Sequence, residues 1–82
     1  MKDTLLWLVQ QLVDTPDEVT IEESGTADRA VLTIHVAAAD MGKIIGKHGR
    51  IIRAIRDLTK LLATKRGTYV DVVLAEEKAP EV

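Results

Sequence analysis

Cysteine is missing from all 82 residues, which excludes disulfides, a thiolate nucleophile and any Cys-ligated metal. Phenylalanine is missing too, and Trp7 and Tyr69 are the only aromatic rings bar the two histidines, so a strand of bases finds no stacking platform here. The longest apolar run, Leu5-Leu6-Trp7-Leu8-Val9, is about a quarter of what a bilayer-spanning helix needs. Asp3 and Gln10-Gln11 interrupt it, which argues against a signal peptide as well. Ser24 is the only serine, and it follows Glu22-Glu23 in a loop with no histidine placed to activate it. His35 reads as a sheet-surface residue. The paired carboxylates at 22–23 and 76–77 point to opposite faces of an extended chain rather than at one substrate. Without a triad, a metal constellation or a cofactor loop, neither catalysis nor a bound metal or cofactor is expected.

What is present is 46% hydrophobic and 29% charged, the balance of a small globular domain that buries something over ~60% of its unfolded surface. A soluble cytoplasmic module, with no membrane contact, is the expectation. The net charge of −2 conceals an asymmetry. Between Gly42 and Gly67 lie Lys43, Lys47, Arg50, Arg53, Arg56, Lys60, Lys65 and Arg66 against one acid, Asp57, a net of +7; the remainder, with three bases and twelve acids, is −9. An anion at a Debye length of roughly 10 Å feels the local charge, not the total.

Periodicity places the elements. Asp3 is a candidate N-cap for a helix over about 4–14, with Leu5, Leu8, Val9 and Leu12 on one side until Asp14-Thr15-Pro16 stops it. Alternation predicts a hairpin of about 18–23 and 29–37 around the loop at Ser24–Asp28. Asp40 reads as the cap of a short helix, Met41 to Ile45, and Gly46-Lys47-His48-Gly49 breaks it. A longer helix over about 50–65 carries Ile51, Ile55, Leu58 and Leu62 as its apolar stripe and ends at Gly67, and Thr68–Leu74 is the last strand. The connection of about thirty residues between second and third strands favours parallel pairing, with all three helices on one face of the sheet. Leu32, Ile34, Val36, Val70, Val72 and Leu74 then face the helices, while Thr33, His35, Tyr69 and Asp71 face away. The fold class is α+β, in the order α-β-β-α-α-β, as one domain over 1–76 with a frayed tail at 77–82.

The chemistry lies in Gly42-Lys43-Ile44-Ile45-Gly46-Lys47-His48-Gly49-Arg50-Ile51-Ile52. A Walker loop needs one more residue between its glycines and a hydroxyl where His48 stands; a dinucleotide fingerprint needs another glycine spacing. A G-x-x-G turn between two helices fits. Its glycines allow a close backbone approach, and the N–H groups opening the long helix favour an anion there. Lys43, Lys47, Arg50 and Arg53 add charge, and Ile44, Ile45, Ile51 and Ile52 supply groove or core. Arg56 and Lys60 read rather as solubility charges.

Ile45-Gly46-Lys47-His48-Gly49-Arg50-Ile51-Ile52 resembles the [IV]-I-G-x-x-G-x-x-I signature of KH domains, and the element order is similar to their type II topology. Asp14–Val19, Asp40–Lys43 and Arg50–Arg56 extend the resemblance, over roughly residues 3–74, to the small stand-alone bacterial KH proteins of the KhpA family. The resemblance implies single-stranded RNA binding in post-transcriptional regulation, homodimers, and pairing with a larger KH-domain protein linked to cell elongation and division. The implied site is Lys43, Ile44, Ile45, Gly46, Lys47, His48, Gly49, Arg50, Ile52 and Arg53, holding about four nucleotides. For a protein contact the candidates are Trp7, on the far side of the first helix, and Ile52 with Leu61 beside the stripe of the long helix, the latter favoured. A dimerisation module with secondary RNA binding, and single-stranded DNA binding, are the alternatives.

Overall fold

The computed structural model describes residues 1–75; the tail at 77–82 and the carboxylates of Glu76-Glu77 lie outside the described residues. The elements are α1 (Lys2–Leu12), β1 (Thr20–Gly25), β2 (Arg29–His35), α2 (Met41–Ile45), α3 (Arg50–Lys65) and β3 (Tyr69–Leu74), in the expected α-β-β-α-α-β order. The sheet order is β1-β2-β3. β1 runs antiparallel to β2, with Ile21 opposite Ile34, and β2 runs parallel to β3, with Leu32 opposite Val72. The sheet is therefore mixed, as the long connection through α2 and α3 requires.

Alternation along the strands decides which face is covered. Ile21, Leu32, Ile34, Val36, Val70, Val72 and Leu74 are buried in one cluster with Leu5 and Val9 of α1, Ile44 of α2, and Ile52, Ile55 and Ala63 of α3. The other face carries Glu22, Thr33, His35, Tyr69 and Asp71. There His35 Nε2 and Glu22 Oε1 stand 2.9 Å apart, and the Arg29 guanidinium lies 5.2 Å from the Tyr69 ring centroid.

Several expected boundaries move, each for a local reason. α1 opens at Lys2, with Leu5 N–H donating to the Met1 carbonyl, so Asp3 sits in the first turn beside the positive helix end rather than capping it. α1 closes at Leu12 because the N–H groups of Asp14 and Thr15 leave the helix and donate to the Asp40 carboxylate, at 3.2 and 3.0 Å. Asp40 precedes α2 as expected, yet makes no cap hydrogen bond; it is a buried clamp on the α1–β1 connection. Pro16–Glu18 wind into a 3-10 turn, which delays β1 to Thr20. α3 ends in a Schellman arrangement: Thr68 N–H donates to the Ala63 carbonyl and Gly67 N–H to that of Thr64.

The largest correction concerns α3. Its buried stripe is Ile52, Ile55, Thr59 and Ala63 rather than Ile51, Ile55, Leu58 and Leu62. Ile51 and Leu58 are exposed. The helix has aliphatic residues on two adjacent faces, and the one turned to the sheet includes a threonine and an alanine.

Candidate nucleic-acid interface

The turn between α2 and α3 is defined by three residues in the positive-φ region. Gly46 takes φ 75° and ψ 172°, a conformation essentially confined to glycine. A Cβ there would also meet the Ile51 side chain at 2.5 Å, so Gly46 is fixed twice, by backbone and by packing. His48 (φ 60°, ψ 22°) and Gly49 (φ 73°, ψ 17°) follow as consecutive left-handed residues. Gly49 N–H closes the turn onto the Gly46 carbonyl at 3.1 Å, and a Cβ at Gly49 would meet nothing within 4 Å. Lys47 and His48 thus stand on an exposed tip. α3 begins directly behind it with no side-chain cap; the Arg50 N–H is taken by the Lys47 carbonyl, and the positive end of the helix dipole faces the same space.

Beside the turn lies a groove of about 310 Å³ between α1 and α3, lined by Leu8 and Leu12 on one wall and Arg50, Ile51, Ala54, Ile55 and Leu58 on the other. Apart from Arg50 at its mouth, the lining is aliphatic. This differs from the expected distribution of isoleucines. Ile44 and Ile52 are core residues, at 0% and 5% exposure; they hold the groove from behind, and Ile52 presents no surface to a partner. Ile45 is half-buried against the same core. Ile51 takes the exposed role. Leu8, Leu12, Ala54 and Leu58 enter the site without having been expected there, and the available signal was a surplus of apolar residues over what one helix face can bury.

The charges also divide. Among the described residues Lys47, Arg50 and Arg53 are exposed and make no ion pair. Lys43 Nζ lies 3.5 Å from Asp14 Oδ2. Arg56 is not a solubility charge: its Nε donates to the Val72 carbonyl at 3.0 Å, and Lys60 Nζ stands 3.8 Å from Asp71 Oδ1, so both fasten α3 to β3. Trp7 and Leu61 are about 60% exposed, Trp7 outside the groove and pointing away from the core.

The geometry is thus a cationic turn at a helix N-terminus continued by an aliphatic trough, which suits a charged backbone bearing flat apolar groups. The KhpA/KhpB, KH domain family matches residues 2–74. A protein of Chlamydia pneumoniae named RNA-binding protein KhpA is 41% identical over 78 residues, 95% of this chain and 100% of its own. A protein of the same name from Clostridium acetobutylicum is 44% identical over 72 residues, 88% of this chain and 96% of its own. Another from Treponema pallidum is 44% identical over 57 residues, covering 70% and 71%. No solved structure matches the chain.

Proposed function

The chain belongs to the KhpA/KhpB KH-domain family, and from that premise we propose that it binds short single-stranded RNA without chemistry. The observation that carries the reading is the uncapped start of α3 behind the exposed Gly46–Gly49 turn, opening onto the aliphatic groove. The turn and helix N-terminus hold phosphates, with Lys47, His48, Arg50 and Arg53 around them and Lys43 behind. Bases lie against Ile51, Ala54 and Leu58, with Ile44, Ile45 and Ile52 supporting the floor. Contacts of this kind read sequence loosely, because few polar groups line the trough. Among the described residues no helix is long and apolar enough to cross a membrane, and the cytoplasm is the proposed place of action.

Replacing Lys47 and His48 together with Asp tests the reading. RNA binding by fluorescence anisotropy should fall beyond tenfold while the thermal melt stays in place, since both side chains leave an exposed turn. For the unaltered protein, log K against log salt should slope at roughly −2, for about three phosphates at −0.7 each. Unchanged binding by the double variant, or a slope near zero, refutes the site.

A second copy is the proposed protein partner, with a larger KH-domain protein as the heterologous equivalent; its place in cell elongation and division follows from the family resemblance alone. The support for a protein contact is Leu61, 60% exposed at the outer end of the apolar flank of α3.

A further inference from the structure

We propose that Asp14 is an internal counter-ion of the RNA site: it competes with phosphate for Lys43 and so sets how strongly the turn grips any polyanion. The proposal rests on the RNA-binding reading above. Lys43 stands on the exposed side of α2, three residues before Gly46, with its Nζ 3.5 Å from Asp14 Oδ2. Asp14 is held in that place from below. Asp40, 1% exposed, accepts the backbone N–H groups of Asp14 and Thr15 through its two carboxylate oxygens. These bonds pin the backbone leaving α1 against the start of α2, which places the Asp14 side chain within reach of Lys43. The groove wall ends at Leu12, two residues earlier, so the pair flanks the region where a strand passes from trough to turn.

Both partners are largely solvent-exposed, with side chains 46% and 77% accessible, so the tether is weak and a phosphate can displace it. Displacement nevertheless has consequences. Lys43 joins the bound strand only by leaving Asp14, and the released carboxylate then faces a polyanion. The phosphate term is independent of base sequence. Lowering it leaves the groove contacts a larger share of the binding energy, so the protein discriminates better against strands that fit the turn but not the trough.

The test is a double-mutant cycle. Asp14→Asn keeps the shape of the side chain and the backbone N–H that Asp40 needs; it is made alone and together with Lys43→Met, and each protein is titrated against a short fluorescent oligouridine over a range of salt. Asp14→Asn alone should tighten binding about threefold at low salt, the scale of an exposed ion pair, and steepen the salt slope by about 0.7, one phosphate contact. In the Lys43→Met background the slope change should vanish and the gain in affinity should shrink to the small repulsion of an unpaired carboxylate. An equal gain in both backgrounds makes Asp14 a diffuse negative charge and overturns the proposal, as does an unchanged affinity with the thermal melt intact. Failure of the unaltered protein to bind the oligouridine overturns the RNA reading itself, a result distinct from either.

Discussion

The two flanks of α3 run the length of one helix and are put to opposite uses. On the flank toward β3, Arg56 and Lys60 reach an edge strand of the sheet and hold it, one through the Val72 carbonyl and the other through Asp71. An edge covered by bonded basic side chains is a poor template for another strand. On the flank toward α1, Ile51, Ala54 and Leu58 leave a trough that no side chain fills. Charge alone therefore does not mark a binding residue, and aliphatic character alone does not mark a core residue. What decides is whether the helix face at that angle already has a partner.

The comparison can be broken most severely at its joint with the turn. Gly46→Ala forces a Cβ into the Ile51 side chain and a non-glycine backbone into a forbidden region; it should cost about 2–3 kcal/mol in chemical denaturation and remove RNA binding. Gly49→Ala meets open space and carries only the left-handed penalty, about 1–2 kcal/mol. Equal losses at the two glycines would mean that Ile51 yields freely and that flank and turn are independent.

The flanks themselves exchange phenotypes under paired substitution. Arg56→Met should lower the melting temperature by about 4–8 °C, for about 1 kcal/mol lost at a domain of this size, with RNA affinity little changed. Leu58→Asp should do the reverse, weakening RNA binding several-fold by placing a carboxylate in the trough while the melt moves little. If Arg56→Met is the variant that loses RNA, the strand lies along β3 and the assignment of the flanks inverts. The smallest expected effect is at the outer end of the apolar flank, where Leu61→Asp should weaken self-association in sedimentation and, through lost bivalency, lower RNA affinity modestly. A protein that sediments as a monomer with and without the substitution removes the dimer.

The strand alternation at Leu32–Ile34–Val36 and Val70–Val72–Leu74 was legible because period two leaves one choice of face, and the mixed pairing followed from the length of the connection. The turn was legible because glycine spacing and basic neighbours are local facts. The rotation of α3 was not. Ile51 and Ile52 are equally aliphatic, and choosing between them requires knowing that Thr59 and Ala63 face the sheet. The same blindness hid Leu8 and Leu12, which belong to a wall only once α1 is set beside α3. Asp40 illustrates another limit: a carboxylate before a helix reads as a cap, and its actual bonds go to residues far away in sequence.

That distance has a consequence in time. The hydrogen bonds that close α1 come from a carboxylate 26 and 25 residues further along the chain than the amides they satisfy. α1 thus leaves the ribosome before the group that finishes its end. Until β2 has formed and carried Asp40 into the interior, Asp14 and Thr15 have only water for partners, and the helix before them is free to fray or overrun. Consolidation of the helix end therefore lags its synthesis, because the chain must be made through Asp40 and a loop of that size closed, at an entropic cost, before these amides find their partner.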